Sequence, residues 1–275
     1  MAASALVVGA GRSGLLAARM LAEQGLAVTL VERLPAPGGQ EPEPGTDGLA
    51  KAARRAGADF VLGTLAVSLS GPVVETLGIG GAGSYRSDAL VVATGTRPAT
   101  VGELGVTGDR CAGILPGSAM IHLVESGVLP GWRPVVLGGG DLARHCAEIC
   151  LRAGARRVSV VSPAERVFAA GPGMDTFDGW RLVSIHGWPR VDHVLIERDG
   201  QVARVTGDAV ILAHQRRAMR NIEGAIRDGG LVVGCHSTAD PKTADDAERT
   251  AREAAEHVLE LVGDGSRAAR AGEGG

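Results

Sequence analysis

A chain of 275 residues is long enough for one large or two small domains, and at that size about three-quarters of the unfolded surface is buried without disulfide or metal staples. The 28 basic and 31 acidic residues are spread along the chain to a formal net charge of −3, which excludes a case for nucleic acid or an anionic membrane as partner. No apolar run approaches the roughly 20 residues of a membrane span, no basic leader precedes the first apolar run, and Cys111, Cys146, Cys150 and Cys235 lie in apolar or helical stretches as reduced thiols do, so a soluble, cytoplasmic protein is expected.

In chain order, Ser4 to Val8 reads as a short apolar strand and Gly9-Ala10-Gly11-Arg12-Ser13-Gly14 as a tight turn. Leu15 to Gln24 reads as a helix, and Leu26 to Val31 as a second strand that ends in Glu32. Each glycine has a reason: Gly9 permits the sharp turn out of the strand, Gly11 lets backbone approach a pyrophosphate, and Gly14 lets helix and strand pack closely. The helix N-terminus offers free N–H donors and about half a positive charge to the phosphates. Glu32 is placed to accept hydrogen bonds from the ribose hydroxyls of an adenosine. Strand, turn, helix, strand and acid in this order make a dinucleotide fingerprint, which a bare glycine pattern does not.

Residues 34–48 are rich in Pro and Gly and read as loop, followed by a short helix over Leu49 to Ala56. The runs Phe60 to Leu62, Ala66 to Leu69 and Val73 to Leu77 suggest a small antiparallel meander. Ala89 to Pro98 is a continuously apolar strand stopped by a Gly turn, and is expected to be the third strand of the first sheet. A second βαβ device follows, with strand Pro134 to Leu137, a GxGxxA turn from Gly138 to Ala143, helix Arg144 to Arg152 and strand Arg157 to Val161. Arg181 to Ile185, Val191 to Glu197 and Val202 to Val205 suggest another meander, and Asp208 to Ala213 a returning strand. Gly230 to Cys235 reads as a last short strand. Asp245 to Leu261 reads as an amphipathic helix, with Ala251, Ala254, Ala255, Val258, Leu259 and Val262 spaced to cover a sheet.

The fold class is therefore α/β, with two Rossmann-like βαβ nucleotide-binding domains, each carrying a small antiparallel meander. Tandem and inserted arrangements both accommodate the repeat. Insertion fits better, because the closing strand and helix have no sheet of their own while the first unit lacks a final strand and a covering helix. The expected domains are 1–112 with 215–263, then 113–214 inserted, and a flexible tail at 264–275.

These residues resemble the two-dinucleotide-binding-domain flavoproteins, the pyridine nucleotide-disulfide oxidoreductase superfamily. The marks are Gly9 to Gly14, Glu32 with Gly38-Gly39 behind it, Ala93-Thr94-Gly95 with Arg97-Pro98, and Gly138 to Ala143. More narrowly, Ala112 to His122, Leu129-Pro130-Gly131 and Val135 to Leu142 resemble the FAD-dependent subunits that accompany glycerol-3-phosphate, opine, proline and cyanide-forming glycine dehydrogenases. The resemblance implies FAD in the first domain, held by Gly9, Gly11, Arg12, Ser13, Gly14, Glu32, Arg33, Gly39, Gln40, Ala93, Thr94, Gly95, Gly234 and Cys235. It implies an NAD(P)-type second domain, with Gly138, Gly140, Asp141, Leu142, Ser162 and Arg166 as its candidate ligands.

Three departures qualify what the resemblance implies. The superfamily's closing Gly-Asp pair reads Gly234-Cys235-His236 here, which removes one expected flavin contact; His236, Ser237 or Asp240 are the substitutes at hand. There is no redox disulfide: Gly39 to Pro44 holds no sulfur, and Cys146 and Cys150 share a helix face away from its N-terminus, as core residues do. The second unit ends at Ser162-Pro163, so the ribose 2′-OH loses its usual acid, while Ser162 and Arg166 tolerate a 2′-phosphate. Asp141 adds a charge that repels a pyrophosphate. NADPH, NADH and an emptied, structural unit all stay open.

The seven histidines show no HxH or HExxH spacing, so no metal site is expected, and no Gly-x-Ser-x-Gly elbow supports a hydrolase. The expected function is an FAD-dependent oxidoreductase or electron-transfer subunit. It moves hydride or electrons between flavin and NAD(P)H or a companion dehydrogenase subunit, in an oligomer or hetero-complex. No side chain announces itself as a catalytic acid or base, because the flavin carries the chemistry. The rival is a non-catalytic nucleotide-binding or scaffolding subunit of a multi-subunit dehydrogenase.

Overall fold

The computed structural model of the chain describes residues 2–39, 45–70, 73–164, 168–214, 216–219, 232–234 and 244–272. In chain order the elements are β1 (Ser4–Val8), α1 (Arg12–Glu23), β2 (Ala27–Val31), α2 (Thr46–Ala56), β3 (Asp59–Val61), β4 (Thr64–Ser70), β5 (Val73–Gly78), β6 (Gly81–Arg86), β7 (Ala89–Val92) and β8 (Thr96–Pro98). They continue with β9 (Thr107–Gly108), β10 (Ile114–Pro116), α3 (Gly117–Glu125), β11 (Pro134–Leu137), α4 (Asp141–Arg152), β12 (Val158–Ser162), β13 (Met174–Asp178) and β14 (Arg181–His186). The last are β15 (His193–Arg198), β16 (Gln201–Thr206), β17 (Ala209–Leu212), β18 (Arg216–Ala218), β19 (Val232–Gly234) and α5 (Ala244–Gly272). They form two compact units, residues 1–97 with 218–275, and residues 98–217. The division falls earlier in the chain than the boundary drawn at 112/113, because Val106 and Cys111 are buried in the core of the second unit.

The first unit is built on a five-stranded parallel sheet in the order β19-β7-β1-β2-β3. Its central strands β1 and β7 are apolar and buried almost throughout because both faces are covered. On one face α1, α2 and α5 enclose Val7, Leu15, Leu21 and Leu30, with Ala251, Ala254 and Val258 of α5 in the same cluster. Each of the four large side chains is fully buried and contributes about 1.5–3 kcal/mol. On the other face Leu6, Val8, Val31, Leu90 and Val92 meet Ala66 and Val74 of the antiparallel sheet β4-β5-β6.

Three expectations for this unit are corrected. β3, expected in the meander, pairs in parallel with β2 as an edge of the main sheet, which makes β7 the fourth strand of that sheet in chain order. The meander's third strand is instead β6, whose Gly-Ala-Gly-Ser sequence hides it. Finally α5 continues to Gly272, through most of the segment expected to be a flexible tail.

The second unit repeats the plan. Its parallel sheet runs β10-β17-β11-β12-β13, and α3 and α4 cover one face through Met120, Cys146, Ala147 and Cys150. Along the other face Val135, Leu137, Val161 and Val210 pack against Leu182, Ile185, Val194 and Ile196 of the sheet β16-β15-β14-β9. The alternation of Val135 and Leu137 with Val136 between the two faces is the period-two register of a strand covered on both sides. β8 and β18, where the chain leaves and re-enters the first unit, form a two-stranded sheet.

The repeat extends to details the sequence does not advertise. Just before β7, Asp88 accepts hydrogen bonds from the Ser4 N–H and hydroxyl at 2.8 and 2.7 Å, fixing the start of β1. Just before β17, Asp208 accepts from the N–H groups of Trp132 and Arg133, both at 2.8 Å, fixing the start of β11.

Candidate functional site

The carboxyl ends of β1 and β7 meet at the point where the first sheet's connections reverse direction, the place where open parallel sheets bind ligands. There Gly9 has φ +107°, and a Cβ on it would stand 2.3 Å from the carbonyl oxygen of Ala93. A Cβ on Gly14 would stand 2.0 Å from the carbonyl oxygen of Gly9. These two glycines are therefore demanded by the protein's own packing. Gly11 is different: a Cβ there meets nothing within 4 Å, so the bare backbone faces outward from the turn. Gly11 is also the N-cap of α1, makes no side-chain cap, and no acid occupies the helix's first turn. The N–H groups of Ser13 and Gly14 and the positive end of the helix are thus presented to an anion.

Around this turn the remaining candidates of the first unit converge. The Gly38 N–H donates to the Ala10 carbonyl at 2.8 Å, and Gly39, with φ +83°, brings its Cα side to the turn, where an added Cβ would lie 3.5 Å from Gly11. Glu32 is buried, with Oε2 accepting from the Ala10 N–H at 2.7 Å and Oε1 from the Leu34 N–H at 2.8 Å. The acid read as a ribose acceptor thus also ties the phosphate turn to the loop that follows β2; each oxygen keeps a second lone pair. Arg33 is exposed on that loop. The Thr94 hydroxyl donates to the Met219 carbonyl, and the Met219 N–H donates to the Gly95 carbonyl at 2.8 Å. Gly234 pairs with Val92 at the end of β7, beside Ala93. Gln40 and Cys235, and Arg166 of the second unit, lie outside the described residues.

The second turn is framed by the same bonds. The Gly9 N–H donates to Val31 and that of Ala93 to Val8; correspondingly Gly138 donates to Val161 and Ala213 to Leu137, all at 2.8–2.9 Å. Gly138 has φ +142°, and a Cβ on it would lie 2.3 Å from the Ala213 carbonyl oxygen, as Gly9 does from that of Ala93. Gly140, like Gly11, has nothing within 4 Å of an added Cβ and is an N-cap without a side-chain cap. Leu142 turns inward toward the start of α3, with Cδ2 3.4 Å from a Cβ built on Gly117, which makes it a packing residue. The Asp141 side chain is 95% exposed and ion-paired with Arg144 at 2.9 Å, so its charge is turned to solvent and partly met. Ser162 is buried at the end of β12, its hydroxyl accepting from the Ala164 N–H at 3.2 Å.

Superposing the two frames matches Glu32 with Ser162 and Thr94 with His214. Nothing in the local sequence of His214 marks it, since nothing there says that β17 lies beside β11; the only signal is the repeat itself, carried one residue past Ala213. Cys146 and Cys150 are buried in α4 against α3, where burial pushes their thiols up to about 12 and about 11. Thiols so protonated are packing groups. Among the described residues no cluster of three metal-ligating side chains occurs, and no helix is long and apolar enough to cross a membrane.

Comparison with known proteins agrees with this geometry. An opine oxidase subunit from Rhizobium meliloti is 31% identical over 180 residues, covering 58% of this chain and 38% of the relative. The ferredoxin–NADP reductase of Saccharopolyspora erythraea is 30% identical over 227 residues, covering 74% of this chain and 63% of the relative. The chain thus spans less than two thirds of the length of these curated relatives. A pyridine nucleotide-disulfide family oxidoreductase from Enterococcus faecalis shares the fold with a TM-score of 0.72 at 13% identity, over 94% of this chain and 69% of that one. Residues 1–120, which hold the first turn, Glu32 and Ala93 to Gly95, match the family described as pyridine nucleotide-disulphide oxidoreductase. By its paired turns and these matches, the chain is similar to the pyridine nucleotide-disulfide oxidoreductase superfamily, the family match covering residues 1–120.

Proposed function

We propose that the chain is an FAD-dependent oxidoreductase or electron-transfer subunit. It would pass hydride or electrons between flavin and NAD(P)H, or a companion dehydrogenase subunit, without a redox disulfide. Members of the superfamily use FAD with NAD(P)H. The observation that carries the reading is the first turn: outward-facing backbone at Gly11, uncapped N–H donors of α1, and the loop of Gly38 and Gly39 closing on the turn. That donor set fits a pyrophosphate, and Glu32, Arg33, Ala93, Thr94, Gly95 and Gly234 surround it as candidate holders of FAD. When bound, the flavin supplies the redox chemistry; the protein's part is to hold and orient it.

The second turn repeats the donor set at Gly138, Gly140 and the start of α4, which supports a nicotinamide dinucleotide there. Buried, high-pKa thiols at Cys146 and Cys150 support transfer without a disulfide relay. The match to one component of opine oxidase supports work inside a complex, with a companion subunit handling the substrate. On this reading FAD belongs to the discontinuous unit, residues 1–97 with 218–275, and the dinucleotide to the inserted unit, residues 98–217.

One observation favours the rival, a non-catalytic subunit: β12 ends in Ser162, where a dinucleotide site usually offers an acid. The test is flavin content followed by anaerobic reduction. Purified protein incubated with FAD is expected to release fluorescent flavin on denaturation, and one nicotinamide is expected to bleach the bound flavin. Colourless protein sinks the flavin reading. Bound flavin that neither NADPH nor NADH bleaches, with turnover only when a partner is added, selects the rival.

A further inference from the structure

We infer that His214 is a binding residue for the nicotinamide half of a dinucleotide in the second unit; this rests on the reading above that the second turn takes such a ligand. The sheet runs β12, β11, β17, and the turn after β11 is the anion-binding element. A dinucleotide centred by its pyrophosphate on that turn must extend both ways across the carboxyl edge of the sheet. The fingerprint puts the adenosine ribose at the tip of the second strand, which here is Ser162 on β12. The other half then lies across β11 on the opposite side, over the tip of β17. β17 ends at Leu212, Ala213 seals the turn through its bond to Leu137, and His214 is the next side chain.

The first unit shows what this position does when the protein uses it internally. There the equivalent residue is Thr94, and its hydroxyl is donated to the Met219 carbonyl. The imidazole of His214 has no hydrogen-bond or ion partner among the described residues, although it is half-buried. Burial alone lowers its pKa from the ordinary imidazole value, which keeps the ring neutral near pH 7. A neutral imidazole offers one donor and one acceptor, the pair that a carboxamide group answers. A half-buried polar group of this kind is costly to leave unmet, and a ligand that meets it gains the difference.

The test uses the full chain saturated with FAD and titrates NADP⁺ and NAD⁺ by calorimetry, so that no turnover is needed. The fragments 2′,5′-ADP and 5′-AMP, which lack the nicotinamide half, are titrated alongside. H214A and the bulkier apolar H214L are each expected to weaken dinucleotide binding about tenfold, the worth of one satisfied hydrogen bond in a partly dry site, and to leave the fragments unchanged. H214N or H214Q, whose amides restore a donor and an acceptor, is expected to return to within about threefold of wild type. Equal binding of the dinucleotide by wild type and H214L overturns the inference while sparing the dinucleotide reading. So does an equal loss of fragments and dinucleotide, which marks a disturbance of the turn. Wild-type protein that takes up none of the four ligands overturns both. Thermal melts of each variant identify any that folds poorly, and whichever of H214A and H214L melts like wild type then decides the matter.

Discussion

The two nucleotide turns of this chain share a frame and differ in what the frame presents. Gly9 and Gly138 sit under the carbonyls of Ala93 and Ala213, and Asp88 and Asp208 fix the strand starts in the same way. These positions answer to backbone sterics and main-chain donors, which are alike in both units. The differences fall at Gly14 against Ala143, Glu32 against Ser162, and Thr94 against His214. The first unit closes its turn tightly, with Glu32 bonded to Ala10 and Leu34 and Thr94 bonded to Met219. The second leaves a hydroxyl and an imidazole at the matching places. A repeated device thus keeps what the fold requires and varies what faces the ligand.

The sharpest way to break this comparison is to exchange the third small residue of each turn. G14A drives a methyl into the Gly9 carbonyl and is expected to cost about 3 kcal/mol and most of the flavin content, read by thermal melt and by flavin released. A143G in the second unit is expected to cost only about 1 kcal/mol, the helix-propensity term, with dinucleotide binding kept. Comparable losses in the two variants would show that the turns are equally tight. Next in size is the acid. E32Q sets an amide nitrogen against the Ala10 or Leu34 N–H and is expected to cost about 2–3 kcal/mol even in flavin-free protein, whereas S162A loses one bond and about 1 kcal/mol. A stability of flavin-free E32Q equal to wild type would return Glu32 to the role of ribose ligand alone.

A pH experiment separates the units through α4. Its two thiols have pKa values raised by burial from 9.0 to about 12 and about 11. In the unfolded chain they ionise first, so the unfolded state binds fewer protons above pH 9 and stability falls as pH rises from 9.0 through the folded values. Each thiol contributes a slope of about 1.4 kcal/mol per pH unit in that window. Denaturant midpoints of wild type are therefore expected to drop more than those of C146A/C150A on going from neutral pH to about pH 10. Parallel profiles would mean the thiols are not buried. The smallest effect is expected for the strand clamps: D88N and D208N should each cost about 1 kcal/mol, and by similar amounts if the repeat is as close as the bonds indicate.

The βαβ units are legible in the sequence because glycine spacing, apolar runs and helix periodicity agree over about thirty residues in each. α1, α2 and α4 begin about three residues earlier than expected, since glycine, serine and aspartate at their starts read as turn. α3 is hidden because Gly117-Ser118 after Pro116 signals a loop, and the helix is only nine residues long. β3 has three residues, too few for a period to distinguish a parallel edge from a meander. β13 is hidden because Asp175 and Asp178 break its apolar pattern at the sheet edge. α5 runs through Gly263 and Gly265, which as residue types read as stops. At the site, the glycines are legible from sterics alone. The partners of Glu32 and the place of His214 are not, because both depend on strands distant in sequence lying side by side.

The order of strands also sets an order of synthesis. The second unit, residues 98–217, is continuous, so every piece of its sheet and both of its helices have been made once residue 217 is translated. The first unit begins earlier and finishes later: β1, β2, β3 and β7 are made first, but the sheet lacks β19 and one of the three helices on its covered face until α5 has been read. On the ribosome, then, the unit that comes first in the chain is the one completed last. Through all of that interval the face later covered by Ala251, Ala254 and Val258 is bare, and a nascent chain must keep it from wrong company.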